Sequence, residues 1–227
     1  MNQTKQLNSV YELKNHYSTD VFVEQKSKEK DSWELISKTI DATVFIVDMQ
    51  DGVVCHDEPE PPAAAAKMEA FYTYIQQAVH LNRGILNQCE NDLIIAVFCT
   101  SDRQNKDHAQ RATTVAFEVM EQLMMLNRWR TAHELPPVHI GLGVNSGEMI
   151  IGDQSKSKWS QLTIQGQTVD VAARFSFLNR TTPIHTVFMG YNTVQEIQNE
   201  NGWVIEPLRS VVEVNETAVS VYALLYP

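Results

Sequence analysis

Ala42-Thr-Val-Phe-Ile-Val-Asp48 is an apolar, β-branched run that ends on a carboxylate. Such a run reads as a buried strand. A second run, Asp92-Leu-Ile-Ile-Ala-Val-Phe-Cys99, has the same character and begins on a carboxylate. Between them, Pro59, Pro61 and Pro62 close a loop. A helix follows over Ala63 to Arg83, with Met68, Phe71, Ile75 and Ala78 at a 3.6-residue period and Gly84 as its stop. Ile85 to Gln88 then leads to a turn at Glu90-Asn91, so the second run is the return strand of a hairpin. A long helix spans Asp107 to His133, with Ala112, Val115, Val119, Leu123 and Leu126 on one face. Pro136-Pro137 ends it, and Val138 to Val144 forms another strand. The order strand, helix, strand, strand, helix, strand predicts an α/β (α+β) fold with a ferredoxin-like β-α-β-β-α-β core.

Beyond that core the pattern predicts C-terminal additions. These are a short strand near Met149, a strand near Leu162, a helix over Thr168–Leu178, a strand near Val187, a helix over Asn192–Asn201, and strands near Val204 and Val221. Residues 1–39 are polar and read as an N-terminal extension or helical linker; residues 40–227 read as one domain.

Of the 227 residues, 43% are hydrophobic and 20% charged, enough to bury a core. The apolar runs are too short to span a bilayer, and residues 1–20 carry no apolar leader segment. The 3 cysteines make no disulfide framework and have no zinc spacing. A cytoplasmic protein with no membrane association is expected. The 28 acidic and 18 basic residues give a net charge of -10, which opposes binding to nucleic acid. A triphosphate entering so acidic a chain needs metal ions or a locally basic pocket.

The predicted topology makes the strands of Asp48 and Asp92 neighbours. Two carboxylates at one sheet edge offer hard oxygen ligands for Mg²⁺ or Mn²⁺. An aspartate at a strand end also serves as a plain turn residue; the pairing favours the metal site.

Several stretches, in order, resemble the catalytic domain of class III nucleotidyl cyclases, the adenylyl and guanylyl cyclase family. They are Val44-Phe-Ile-Val-Asp48, Glu90-Asn-Asp-Leu-Ile-Ile-Ala-Val-Phe98, Asp107-His-Ala-Gln-Arg-Ala112, Ile140-Gly-Leu-Gly-Val-Asn-Ser-Gly-Glu148, Met149-Ile-Ile-Gly152 and Thr168-Val-Asp-Val-Ala-Ala-Arg174. The resemblance covers residues 40–225 and implies two divalent ions per site, Mg²⁺ or Mn²⁺, on Asp48 and Asp92. It implies attack of a nucleoside triphosphate's 3′-hydroxyl on its α-phosphate, and a homodimer with sites at the interface.

Carried over position by position, Arg174 matches the arginine that stabilises the transition-state phosphate. Asp170 stands where the family has an asparagine. Gln88 and Gln167 replace the purine-selecting lysine and aspartate. His139 replaces a phosphate-contacting arginine, and Glu213 falls near the C-terminal phosphate lysine. Met49-Gln-Asp-Gly-Val-Val54 occupies the loop whose amides reach phosphate, with Gly52 retaining its flexibility. Met49 and Gly52 are thereby substrate-binding candidates.

Two amides in place of a charged pair put a pyrimidine base, UTP or CTP, in reach. In size and layout the chain is similar to relatives that make cyclic pyrimidine nucleotides in bacterial phage (antiviral) defence. The alternative reading is a catalytically silent cyclase-homology domain that binds nucleotide or a partner protein. Asp170 and Arg174, at i and i+4, also suit a simple helical ion pair. Cys55-His56-Asp57-Glu58 is too crowded for a metal site and reads as an acidic loop, and Met120, Met124 and Met125 as packing residues.

Overall fold

Alternation along the first strand sorts two cores onto opposite faces of one sheet. In the computed structural model, which describes residues 36–50, 61–90, 93–100, 106–153, 162–178, 186–197 and 202–225, β1 runs Ile36–Gln50. Phe45, Val47 and Met49 point to one face and pack with helices α1 (Pro62–Leu81) and α2 (His108–Ala132). Ala42, Val44 and Ile46 point to the other and meet α3 (Gln167–Leu178) through Ala172.

The remaining strands are β2 (Ile85–Glu90), β3 (Leu93–Cys99), β4 (His139–Asp153), β5 (Leu162–Gln165), β6 (Thr186–Gly190), β7 (Val204–Val214) and β8 (Thr217–Leu225); a short helix, α4, spans Tyr191–Glu196. The sheet order is β2-β3-β1-β4-β6-β8-β7, with β5 on β4. The stretch β2-β3-β1-β4 is the ferredoxin-like arrangement expected from the sequence. The C-terminal strands extend the sheet past β4, where β6 joins parallel. No helix among the described residues is long and apolar enough to cross a membrane.

Two expectations are corrected. Val138–Val144 and a separate strand near Met149 are one 15-residue strand, β4, paired with β1 along its length. Asn145-Ser-Gly147 looks like a turn, yet tertiary hydrogen bonds hold it extended: Asn145 Nδ2 donates to the Thr168 carbonyl at 3.1 Å, and Ser146 Oγ to Thr193 Oγ1 at 3.0 Å. The helix expected over Asn192–Asn201 stops at Glu196, because Ile197 is already extended. Gly84 does close α1, but Arg83 takes the left-handed conformation. Glycine is required at 84 because a Cβ there would lie 2.6 Å from the Phe98 ring.

A buried amide helps tie α2 to the start of β4. Asn127 Nδ2 donates to the Val138 carbonyl at 2.9 Å, and Val138 N–H donates to Asn127 Oδ1 at 2.7 Å. Both groups are buried. Asn127→Ala should therefore destabilise the protein by about 2–4 kcal/mol, because it orphans a buried donor and acceptor. Urea unfolding measures this, and a change below about 0.5 kcal/mol, the scale of a neutral surface substitution, would contradict it.

Candidate active site

β1 and β3 are antiparallel neighbours, with Asp48 opposite Leu93 on one side and Gly141 of β4 on the other. Asp48 is half-buried, near the end of its strand. Asp92 directly precedes Leu93 in sequence and lies outside the described residues, as do Gly52 and the Cys55–Glu58 row. By alternation Asp48 shares the face of Ile46, away from α1 and α2. Leu93 and Ile95 on that face are only partly covered.

Gln88 reaches the same face through a register shift. β2 pairs Leu86 with Ala96, then Gln88 with Ile95, so Asn87 is an extra, bulged residue. A bulge re-aims the side chains that follow it. Without it Gln88 would turn toward α1. With it, Gln88 joins Ile95 and Asp48, while Cys89 faces α1, where Gln76 Nε2 donates to its sulfur at 3.3 Å. His139 opens β4 opposite Gln50 and is exposed at the same end of the sheet as Asp48. Gln167 is the exposed first residue of α3, one step after Gly166. β5, the strand before it, lies beside β2.

Met49 is a correction. β1 continues through Gln50, so Met49 is a strand residue and not part of an open loop. It is 3% exposed and packs in the core under α1 and α2, so its side chain is not a substrate contact.

Arg174 is elsewhere. It is exposed on α3 and lines a groove of about 330 Å³ with Asp170, Ala173, Phe177, Val214 and Asn215. The helix and the β7–β8 hairpin form its walls. Asn215 and Glu216 both have positive φ, 49° and 63°, as a two-residue hairpin turn of this hand requires. Among the described residues no ion pair joins Asp170 to Arg174; instead Asn215 Nδ2 donates to Asp170 Oδ2 at 3.3 Å. Asn215 lines the groove, and sequence reading gave it no place beside Asp170; its only signal is its place in a turn. Glu213 is exposed on β7 beside this hairpin. Asp48, Gln88 and His139 are not among the residues that line this groove.

The Asp107–Ala112 motif is structural. Arg111 reaches the carbonyl of Asn82 at 2.9 Å and pairs with Asp107 at 3.0 Å, tying α2 to the end of α1, while His108 is fully buried.

No family model matches the chain. Among curated proteins it is 24% identical over 140 residues to adenylate cyclase 1 of Rhizobium meliloti, covering 62% of this chain and 21% of that protein. It is 28% identical over 124 residues to an uncharacterised protein of Mycobacterium tuberculosis, covering 54% and 20%. The matched segment thus spans about a fifth of these relatives' length. Among solved structures, the adenylyl cyclase CyaB of P. aeruginosa superposes with a TM-score of 0.70 at 17% identity, covering 84% of this chain and 96% of that one. The guanylate cyclase domain of RhGC from Catenaria anguillulae, in complex with GTP, gives 0.64 at 19%, covering 82% and 97%. The structural neighbours are class III adenylyl and guanylyl cyclase catalytic domains, and this chain has their fold.

Proposed function

We propose that the protein is a metal-dependent nucleotidyl cyclase that converts a nucleoside triphosphate to a 3′,5′-cyclic nucleotide and pyrophosphate. One observation carries this reading: a half-buried carboxylate, Asp48, shares an incompletely covered sheet face with Gln88, which a bulge has turned toward it. Asp48 is placed beside the start of β3, and its oxygen donors suit Mg²⁺ or Mn²⁺. Asp48 and Asp92 are the residues that would hold the ions. When bound, such ions neutralise triphosphate charge and acidify the attacking hydroxyl.

The chain's own groups do the rest. Gln88 and Gln167 bind the base through amide hydrogen bonds. His139 contacts the triphosphate. The ribose 3′-oxygen forms its bond to the α-phosphorus, the bond to the β-phosphate bridge breaks, and the 3′ proton passes to solvent as pyrophosphate leaves. Arg174 neutralises charge on the α-phosphate in the transition state. In this reading Asp48 and Arg174 belong to two half-sites, and a homodimer completes each site by pairing the Asp48 half of one chain with the Arg174 half of its partner. The reading as a silent domain that binds nucleotide or a partner protein has one observation in its favour: Asp170 is engaged by Asn215, and among the described residues it makes no ion pair with Arg174.

The test is turnover of all four ribonucleoside triphosphates in competition, with Mn²⁺. A cyclic product is expected, with UTP or CTP used at least as well as ATP. Buried amides left unpaired by a wrong base cost about 1–3 kcal/mol each. Gln88→Lys with Gln167→Asp should shift preference toward ATP. Exclusive production of cyclic AMP or cyclic GMP would overturn the pyrimidine assignment and leave the cyclase standing. No cyclic product from any nucleotide would favour the silent domain.

A further inference from the structure

Around the middle of β1, seven residues before Asp48, three side chains from three elements converge. Asp41 lies on β1, His108 in the first turn of α2 and Glu196 at the end of α4. One imidazole nitrogen and one oxygen from each carboxylate lie within 4.8 Å of one another. Ligand atoms of a tetrahedral ion with bonds of 2.0–2.2 Å sit about 3.4 Å apart. Small side-chain rotations would close the cluster to that spacing.

Two atoms here are unexplained by the protein's own hydrogen bonds. His108 is 0% exposed, and its Nε2 has no partner. Glu196 Oε2 is buried without a partner, 3.7 Å from His108 Nδ1, too far for a hydrogen bond. Buried polar atoms are normally satisfied.

A chain of hydroxyls orients the ring. Ser146 Oγ donates to Thr193 Oγ1, Thr43 Oγ1 lies 2.7 Å from Ser146 Oγ, and His108 Nδ1 lies 2.8 Å from Thr43 Oγ1. Outer hydrogen bonds that set the ring orientation are a usual feature of metal-ligating imidazoles.

We propose that Asp41, His108 and Glu196 form a binding site for a divalent transition-metal ion of the Zn²⁺ class. One imidazole and two carboxylates suit such an ion, with room for water as a further ligand. Burial lowers the proton affinity of His108. Burial and, after it, the nearby Asp41 charge raise that of Glu196, against an opposing pull from Lys106. Lys106 holds Asp41 Oδ2 at 2.7 Å from the solvent side, which leaves the second carboxylate oxygen for the ion. Asp41 and Asp48 are seven residues apart on one strand, about 23 Å at the usual rise. The ion would clamp α4 and the start of α2 onto β1, independently of nucleotide binding.

Co²⁺ is the probe. In the full chain carrying Asp48→Asn and Asp92→Asn, which removes the nucleotide-site carboxylates, one Co²⁺ per chain should bind and give ligand-field absorption. Adding Glu196→Gln should weaken binding at least tenfold, and Asp41→Asn, judged separately, should do the same. Zn²⁺ should displace Co²⁺ and raise the melting temperature of the parent protein but not of the Glu196→Gln protein. The site is refuted if Co²⁺ does not bind, or binds equally well to both variants. Because the readout is metal occupancy and melting, failure here leaves the cyclase reading untouched, and loss of cyclase activity leaves this site untouched.

Discussion

Asp48→Asn lowers cyclase turnover by about 10³-fold or more while leaving the melting temperature near that of the parent. The magnitude follows from the several kcal/mol that a metal ion contributes at a phosphoryl centre, with each 1.36 kcal/mol worth tenfold in rate. The stability follows from position. Asp48 is half-buried near the end of β1, outside both hydrophobic clusters of that strand. Asparagine keeps its shape and most of its hydrogen bonding but loses the charge that holds a cation. The check is a rate assay beside a thermal melt of the same sample. Parental turnover in Asp48→Asn would contradict the site, and a collapse in melting temperature would make Asp48 a structural residue.

Gly143→Ala is the second large effect, and it acts through packing. α3 crosses β4 so closely at this point that a Cβ on residue 143 would lie 2.1 Å from the Ala172 carbonyl oxygen and 2.8 Å from the Ser176 nitrogen. Both are backbone atoms, so no side chain can swing aside; the helix must move. Overpacking of a core usually costs about 1–3 kcal/mol, and a clash with backbone belongs at or above the top of that range. The same displacement carries Arg174, two residues past Ala172, and the wall of its groove. We expect a lower melting temperature and a loss of turnover that persists well below it. A protein of parental stability and activity would show that α3 is not seated as described.

Much of this was legible in the sequence. The period of β1 and the helical spacing of Met68, Phe71, Ile75 and Ala78 come from one buried face each, a local property. The neighbouring of β1 and β3 followed from topology. What escaped was tertiary. Asn145-Ser-Gly147 has turn composition and is held extended by its pairing with β1 and by partners at Thr168 and Thr193. The bulge at Asn87 leaves no mark in composition, yet it decides which face Gln88 occupies. Met49 sits one residue after a site aspartate and still belongs to the core, because strand alternation outweighs proximity in sequence. Asn215 and the cluster of Asp41, His108 and Glu196 come together only through the fold, from positions far apart in the chain.

The central claim is that two separated half-sites on each chain make a cyclase when two chains pair. Arg174→Ala alone should lower kcat by about 10²–10³-fold, as loss of a transition-state charge donor does. Asp48→Asn alone should be inactive. The decisive measurement is cyclic-nucleotide formation by an equimolar mixture of these two proteins after their subunits have exchanged. Half of the dimers are then mixed, and each mixed dimer has one site with both Asp48 and Arg174 intact. The account predicts recovery to about a quarter of parental activity. A mixture no more active than its components would contradict it, because the two residues would then belong to one site within one chain, or to no cyclase site at all.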